Sequence, residues 1–125
     1  MKHVVYCDRD VDNIQELDLE RLNGKLLDYD RKLQNVVIEQ QKHFSGDRFA
    51  DAVFNEIDEV PLLEIREGRV THTLVLTRTY DEEQNGFTSC YSVEERHEKE
   101  GLIDVVDYDS GEEKALQSYL HTLMS

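Results

Sequence analysis

Two ionisable side chains, His72 and Glu95, are the residues whose predicted placement could support chemistry. Residues 69–80 and residues 87–97 each alternate apolar and polar side chains, a period of two that is typical of half-buried β-strands. Pairing the end of the first stretch, Tyr80, with the start of the second puts His72 opposite Glu95 on the apolar face. A carboxylate beside an imidazole orients the ring, which is the minimum arrangement for general acid–base catalysis.

The same strand registers place further polar side chains near this pair. Arg78 falls opposite Ser89, and Tyr91 falls opposite Asp107 on the following predicted strand. Ligand pockets combine a few such polar groups with apolar walls. The residues predicted to contact a small ligand between the sheet and the helices are therefore His72, Arg78, Tyr91, Glu95 and Asp107, with Leu74, Leu76 and Val93 as the walls.

The sequence lacks the motifs of nucleophilic, metal-dependent and phosphate-binding enzymes. None of the five histidines belongs to an H-x-x-x-H pair, and neither cysteine belongs to a C-x-x-C pair. The six glycines are scattered singly rather than gathered into a phosphate-binding loop. No serine or cysteine nucleophile signature accompanies His72. We therefore expect no metal and no cofactor, and the sequence favours a binding protein over an enzyme while leaving a hydrolytic domain open as an alternative.

Three alternate aspartates, Asp8, Asp10 and Asp12, follow a short apolar stretch. Carboxylates at this spacing can hold a hard cation, and the pattern resembles the start of a calcium loop of the EF-hand type. The sixth position is Asn13 rather than Gly and the twelfth is Leu19 rather than Glu, so the features that form the turn and the last ligand are missing. The D-x-D after a strand also resembles the first motif of haloacid-dehalogenase-type phosphatases, but the chain is too short and lacks their later motifs. We interpret the segment as a solvated acidic loop.

An excess of acidic side chains is the strongest signal in the composition. Asp and Glu number 28 against 14 Lys and Arg, which gives a formal net charge of -14 over 125 residues. This charge argues against direct binding of nucleic acid or of an anionic membrane, and it favours basic protein partners. Solubility alone is the alternative explanation. The acidic residues predicted to bind a partner are Asp81, Glu82, Glu83, Glu94, Glu98, Glu100, Asp109, Glu112 and Glu113.

The strands that must position these residues form a predicted antiparallel meander of four strands. Between the first two, a turn near Gly68 allows Ile65 to pair with Val70, which keeps apolar side chains on one face. Between the last two, a turn at Gly101 allows Val105 to meet Val93. Residues 3–7 form a further short apolar run, which predicts an N-terminal strand.

Apolar residues spaced by three and four predict helices on both sides of the meander. Residues 19–43 carry one such stripe, and the Asn23-Gly24 pair within it predicts a break. Residues 49–60 carry a second stripe, so we expect two to three N-terminal helices. Ser110 and Glu113 form a capping box that predicts the start of a C-terminal helix.

These elements predict one α+β domain over residues 1–125: a four-stranded antiparallel meander plus a short N-terminal strand, with two to three N-terminal helices and one C-terminal helix on one face. Two cysteines are too few for a disulfide framework. The sequence also shows no apolar run of membrane-spanning length and no signal peptide. We expect a cytoplasmic protein.

The leading functional hypothesis is a small acidic binding protein that occupies a basic protein partner. Inhibitors, immunity proteins and phage-encoded antagonists of nucleic-acid enzymes act in this manner. A small-ligand or hydrolytic pocket around His72 and Glu95 is the first alternative. A structural oligomer is the second, because the apolar stripe of the 19–44 helix is long enough to pair with a second copy of the chain.

Overall fold

One antiparallel sheet, with three helices packed on one of its faces, makes up the described part of the chain. The computed structural model describes residues 2–7, 9–11, 19–109 and 111–125. In chain order the elements are β1 (Lys2–Tyr6), β2 (Arg9–Val11), α1 (Leu19–Gln41), α2 (Gly46–Glu56), β3 (Val60–Glu67), β4 (Val70–Asp81), β5 (Gly86–His97), β6 (Gly101–Tyr108) and α3 (Glu113–Met124).

The order of strands across the sheet is β2-β1-β3-β4-β5-β6, with every neighbouring pair antiparallel. The predicted α+β class, the four-stranded meander (β3 to β6) and the N-terminal strand (β1) are confirmed. Strand β2 was not predicted, because its residues are polar and were interpreted as a loop. Of the three aspartates in that loop, Asp10 lies on β2, where its backbone pairs with Val5. Asp8 and Asp12 lie outside the described residues.

The register between β4 and β5 agrees with the prediction along its whole length. Tyr80 pairs with Phe87 and His72 pairs with Glu95. The predicted pairing of Ile65 with Val70 is wrong by two residues, because Glu67 pairs with Val70 across a two-residue turn. Gly68 opens that turn with a φ of 59°, a value that favours glycine and occurs at the first position of tight hairpin turns.

A β-bulge displaces the predicted register between β5 and β6 by one residue. The pairing shifts between Glu95 and Arg96, so that Val93 meets Val106 rather than Val105. An extra residue on one strand of a pair changes which face each following side chain takes. The bulge therefore moves Asp107 to the opposite face of the sheet from the predicted one.

Helix α1 runs without interruption through the Asn23-Gly24 pair, so the predicted break is wrong. A Cβ atom at Gly24 would meet nothing within 4 Å, which shows that this glycine lies on the solvent side of the helix. Leu22 and Tyr29 are buried on either side of it along the chain. Burial of these flanking side chains outweighs the roughly 1 kcal/mol that a glycine costs inside a helix.

All three helices contribute to one hydrophobic core on one face of the sheet, which we call the helix face. In α1 the stripe predicted to allow oligomerisation packs into this core, together with the apolar sides of α2 and α3. A hydrogen bond from the Ser89 hydroxyl to the Asp30 carboxylate joins β5 to α1. The buried helical residues are Leu22, Tyr29, Leu33, Val37, Phe49, Ala50, Val53, Leu116 and Leu120, and those of the strands include Leu63, Ile65, Leu74, Leu76, Tyr91 and Val93.

The C-terminal helix is confirmed and begins at Glu113. Its predicted N-cap, Ser110, lies outside the described residues. The Glu113 side chain reaches back to accept a hydrogen bond from the backbone N–H of Gly111 at 3.1 Å. This contact, and the positive end of the helix dipole, suit a carboxylate in the first turn.

Candidate functional site

The His72–Glu95 pair forms as predicted on neighbouring strands of the helix face. The His72 Nε2 and Glu95 Oε1 atoms are 3.0 Å apart, and the two side chains are 16% and 33% exposed. Tyr119 of α3 lies nearby: burial raises the pKa of its phenol, and Glu95, Tyr108 and Asp104 raise it further. The arrangement holds an imidazole in one orientation beneath the C-terminal helix.

Arg78 lies opposite Ser89, as predicted, and its side chain contacts the end of helix α2. Its guanidinium donates a hydrogen bond to the carbonyl oxygen of Phe54 at 2.9 Å and lies 5.0 Å from the centre of the Phe54 ring. Phe54 lies in the last turn of α2, where carbonyl groups have no partner within the helix. Arg78 therefore caps the negative end of α2 from β4.

Tyr91 and Asp107 do not meet, so their predicted pairing is wrong. Tyr91 pairs with Tyr108 on the helix face, and burial raises the pKa of the Tyr91 phenol, with further contributions from Glu113, Asp30 and Cys90. Asp107 lies across from Ser92, whose hydroxyl donates to the Asp107 carboxylate at 2.6 Å. The bulge in β6 separates them, and the five predicted ligand residues are thus divided between the two faces.

The walls predicted for the pocket are themselves packed in the core. Leu74, Leu76 and Val93 are at most 2% exposed and contact the helices rather than a cavity. Of the strand pairings predicted around the site, those of His72 with Glu95 and of Arg78 with Ser89 are observed, and that of Tyr91 with Asp107 is not.

A cleft of about 630 Å³ lies on the opposite surface of the sheet, which we call the open face. Its floor is formed by three side chains of β4, Thr71, Thr73 and Val75, and its walls come from β3 and β5. Thr73 and Val75 are buried even though the described helices pack on the other face. Sequence reasoning missed this cleft because it assigned the polar face of β4 to solvent.

Charged residues stand in rows on both sides of this cleft. Arg66 and Arg96 flank Thr71, whereas Glu64 and Glu94 flank Thr73. Each arginine contacts the glutamate two residues away on its own strand, at 2.5 Å in β3 and 3.3 Å in β5. The cleft walls are thus internally compensated in charge.

Further acidic side chains lie near Cys90 on the open face, and one of them, Glu59, also lines the cleft. Burial raises the pKa of the Cys90 thiol, a hydrogen bond from Thr79 lowers it, and the charges of Asp107, Asp109 and Glu59 raise it further. These three carboxylates come from β6, the segment after it and the segment before β3. The fold thus gathers acids that are far apart in the chain.

Four of the acidic residues predicted to bind a partner lie in turns at opposite ends of the sheet. Glu98 and Glu100 lie in the turn before β6, where the backbone N–H of Glu98 donates to the carbonyl oxygen of Arg69 at 2.9 Å. The turn after β4 contains Glu82 and Glu83. Strands β4 and β5 pair over 12 residues between the two turns, a separation of roughly 36 Å at about 3.3 Å per residue. The two groups do not form one patch.

The greatest concentration of negative charge follows the edge strand β6. Residues 94–113 carry nine carboxylates against two cationic side chains, Arg96 and Lys99, so this segment accounts for seven of the fourteen net negative charges. Large apolar side chains are exposed on the same strand: Leu102, Ile103 and Val105. We call β6 and its flanking turns, residues 98–109, the acidic edge.

Comparisons of this chain with protein-family models, with curated proteins and with solved structures each found no match. In the part of the chain that the structure describes, no helix is long and apolar enough to cross a bilayer. The same described residues contain no group of three or more metal-ligating side chains with suitable geometry.

Proposed function

We propose that this chain is a small cytoplasmic binding protein that uses the acidic edge to occupy a basic protein partner, as an inhibitor or antagonist of a nucleic-acid enzyme would. The observation that carries the proposal is the composition of the acidic edge, where residues 98–109 hold five carboxylates against one cation, Lys99, along a strand with exposed apolar side chains. Uniform acidity that served solubility alone would not require apolar residues at the same place.

The negative charge of the chain should affect how fast it associates with a basic partner. A net charge of -14 attracts a basic partner over distances of about a Debye length, which raises the association rate and makes it sensitive to salt. Exposed apolar groups inside a charged rim supply the desolvated area that charge pairs alone do not. The chain would cover the basic surface with which its partner binds the phosphates of nucleic acid.

The two acidic turns allow a matched test. We expect Glu98→Gln with Glu100→Gln, beside β6, to slow association with the partner. Glu82→Gln with Glu83→Gln removes the same charge from exposed glutamates at the far end of the sheet and should have a much smaller effect. Both variants leave the hydrophobic core untouched.

The experiment is an affinity capture from lysate of the source cell, with wild type, both variants and an unrelated protein of similar negative charge as baits. The proposal is supported if wild type captures more of one basic protein than the charge-matched bait does, and if salt releases that protein. The Glu98 and Glu100 changes should lower the amount captured, and the Glu82 and Glu83 changes should not. The kinetics would then be measured with that purified partner. A partner retained equally at high salt, or no enrichment over the unrelated bait, would overturn the proposal.

A further inference from the structure

The outer edge of β6 has an unpaired backbone in the described part of the chain. Strand β6 ends the order of the sheet, and the structure pairs it with β5 alone. Alternate N–H and C=O groups of an edge strand point away from the sheet and form a template for another extended chain. The bulge near Leu102 lies at the start of the strand, and pairing is regular from Asp104 to Tyr108. Five regular residues are enough for a typical strand partner.

This edge lacks two of the devices by which proteins protect such strands. Strand β6 contains no lysine and no proline, and it exposes Leu102 at 49%, Ile103 at 49% and Val105 at 41%. Helix α3 packs against the helix face, where Tyr119 stacks near Tyr108. An exposed apolar edge of this kind is a site for strand addition.

The negative charge of β6 determines which kind of extended segment can pair with its outer edge. A second copy of β6 would place two strands that each carry two aspartates and no cation side by side, and like charges on adjacent strands are destabilising. The neighbouring Glu98 and Glu100 would add to this repulsion. A segment with lysine or arginine would instead neutralise these carboxylates, so the acidic edge selects a basic strand.

We propose that β6 accepts an extended basic segment of the partner as a seventh strand of the sheet. This inference rests on the proposed function and specifies how the same surface binds. The spacing of Asp104 and Asp107 calls for basic residues three positions apart, and Val105 and Val106 between them call for two apolar residues. The recognised pattern is Lys/Arg, apolar, apolar, Lys/Arg in an extended conformation.

Backbone hydrogen bonding and charge attraction can be separated with short peptides. The probe is a peptide with a central Lys-Val-Val-Lys, and the first control has the same composition in the order Lys-Lys-Val-Val. Two further controls carry N-methyl groups on alternate residues, one on each edge of the extended peptide. These four peptides have the same charge. The reordered peptide differs from the probe in the order of its side chains, and the methylated peptides differ from it in the backbone N–H groups available for strand pairing.

We expect the Lys-Val-Val-Lys peptide to bind the full chain more tightly than the reordered peptide. Methylation of one edge should weaken binding roughly tenfold, whereas methylation of the other edge should have little effect, because one edge faces β6. Hydrogen exchange should slow at the outward-pointing amides of β6 and remain unchanged in the paired centre of β4 and β5.

A pair of protein variants supplies the matched control. Val105→Lys places a cation on the edge of the sheet. We expect it to lower the affinity for the probe peptide roughly tenfold, because the new lysine repels the lysines of the peptide. Leu27→Lys makes the same change of charge at an apolar side chain of α1 that is 64% exposed. We expect the Leu27 variant to bind as the wild type does.

The outcomes separate this inference from the proposed function. Equal, salt-sensitive binding of all four peptides without protection of β6 would overturn strand addition and leave the acidic binding protein standing. Absence of peptide binding even at low salt would also overturn strand addition. Protection of β6 that rises with protein concentration, together with a dimeric mass, would show that a second copy occupies the edge and would likewise overturn it.

Discussion

The guanidinium of Arg78 donates to the carbonyl oxygen of Phe54 at 2.9 Å and thereby connects the central strand β4 to the C-terminal end of α2. This contact explains why a cation stands on an otherwise apolar face of the sheet. The sequence pattern predicted Arg78 as a ligand contact and gave no sign of the helix end that its guanidinium contacts in the fold.

Replacement of Arg78 by methionine should destabilise the protein. The change keeps an apolar stem against Phe54 but removes the donor, so a helix-end carbonyl loses its charged partner, at a cost of about 1.5–3 kcal/mol. Urea unfolding measures the difference. Arg48→Met removes the same charge from an exposed position of α2 and should stay within about 0.5 kcal/mol of wild type. Equal effects of both changes would refute the capping role.

Gly24→Ala should stabilise the protein by roughly 0.5–1 kcal/mol. The position is helical, its Cβ would meet no atom within 4 Å, and alanine restricts the unfolded chain. The midpoint of chemical denaturation should rise without a change in slope. As a contrast, Gly68→Ala should lower it, because Gly68 has a φ of 59° that alanine adopts only with strain. A fall in the midpoint for Gly24→Ala would mean that α1 is interrupted there.

Tyr29 should resist ionisation and contribute to unfolding in alkali. Burial raises the pKa of its phenol from 10.0 to about 12, and the nearby Arg78 guanidinium offsets part of the rise. The unfolded chain therefore ionises at a lower pH than the folded one. Its contribution to stability is complete below pH 10 and is lost as the pH rises through about 12.

The test compares wild type with Tyr29→Phe by near-ultraviolet absorbance of tyrosinate and by circular dichroism. The Tyr29 hydroxyl is buried and makes no hydrogen bond of good geometry within the described residues, so we expect its removal to change stability little at neutral pH. In alkali the variant should remain folded to a higher pH. Identical alkaline profiles would show that other tyrosines dominate the transition.

The two thiols should differ in reactivity. Cys7 is exposed, whereas Cys90 is buried, and burial together with Asp107, Asp109 and Glu59 raises the pKa of the Cys90 thiol. Alkylation by iodoacetamide at neutral pH, followed by peptide mass spectrometry, should label Cys7 well before Cys90. Unfolding in urea should remove the difference. Faster labelling of Cys90 in the folded protein would contradict its burial on β5.

The register of β4 against β5 was predictable because apolar parity and the loop between them agree on one solution. Pairing Tyr80 with Phe87 leaves the apolar side chains other than Val75 and Cys90 on one face, and this is the register observed. The contact between His72 and Glu95 follows from the same register. Periodicity therefore sufficed for the part of the candidate site that lies on these two strands.

The placement of Asp107 was not predictable in the same way. A single extra residue at the bulge opposite Arg96 moves it to the open face, and the alternating sequence around it fits both registers. The break predicted at Asn23-Gly24 was wrong for another reason. A glycine inside a helix costs only about 1 kcal/mol, and burial of Leu22 and Tyr29, which the sequence alone does not reveal, outweighs this cost. Tertiary packing decided both positions.

Strand β1 takes its place between β2 and β3, although two helices separate it from β3 in the chain. During synthesis at about 5–20 residues per second, the roughly 60 residues from β1 to β3 take roughly 3–12 s to appear. For that interval Val4 and Tyr6, which end as core residues, have no sheet to join. Helices α1 and α2 are both synthesised before β3, so the contact that completes the sheet around β1 cannot form until the helices are already present.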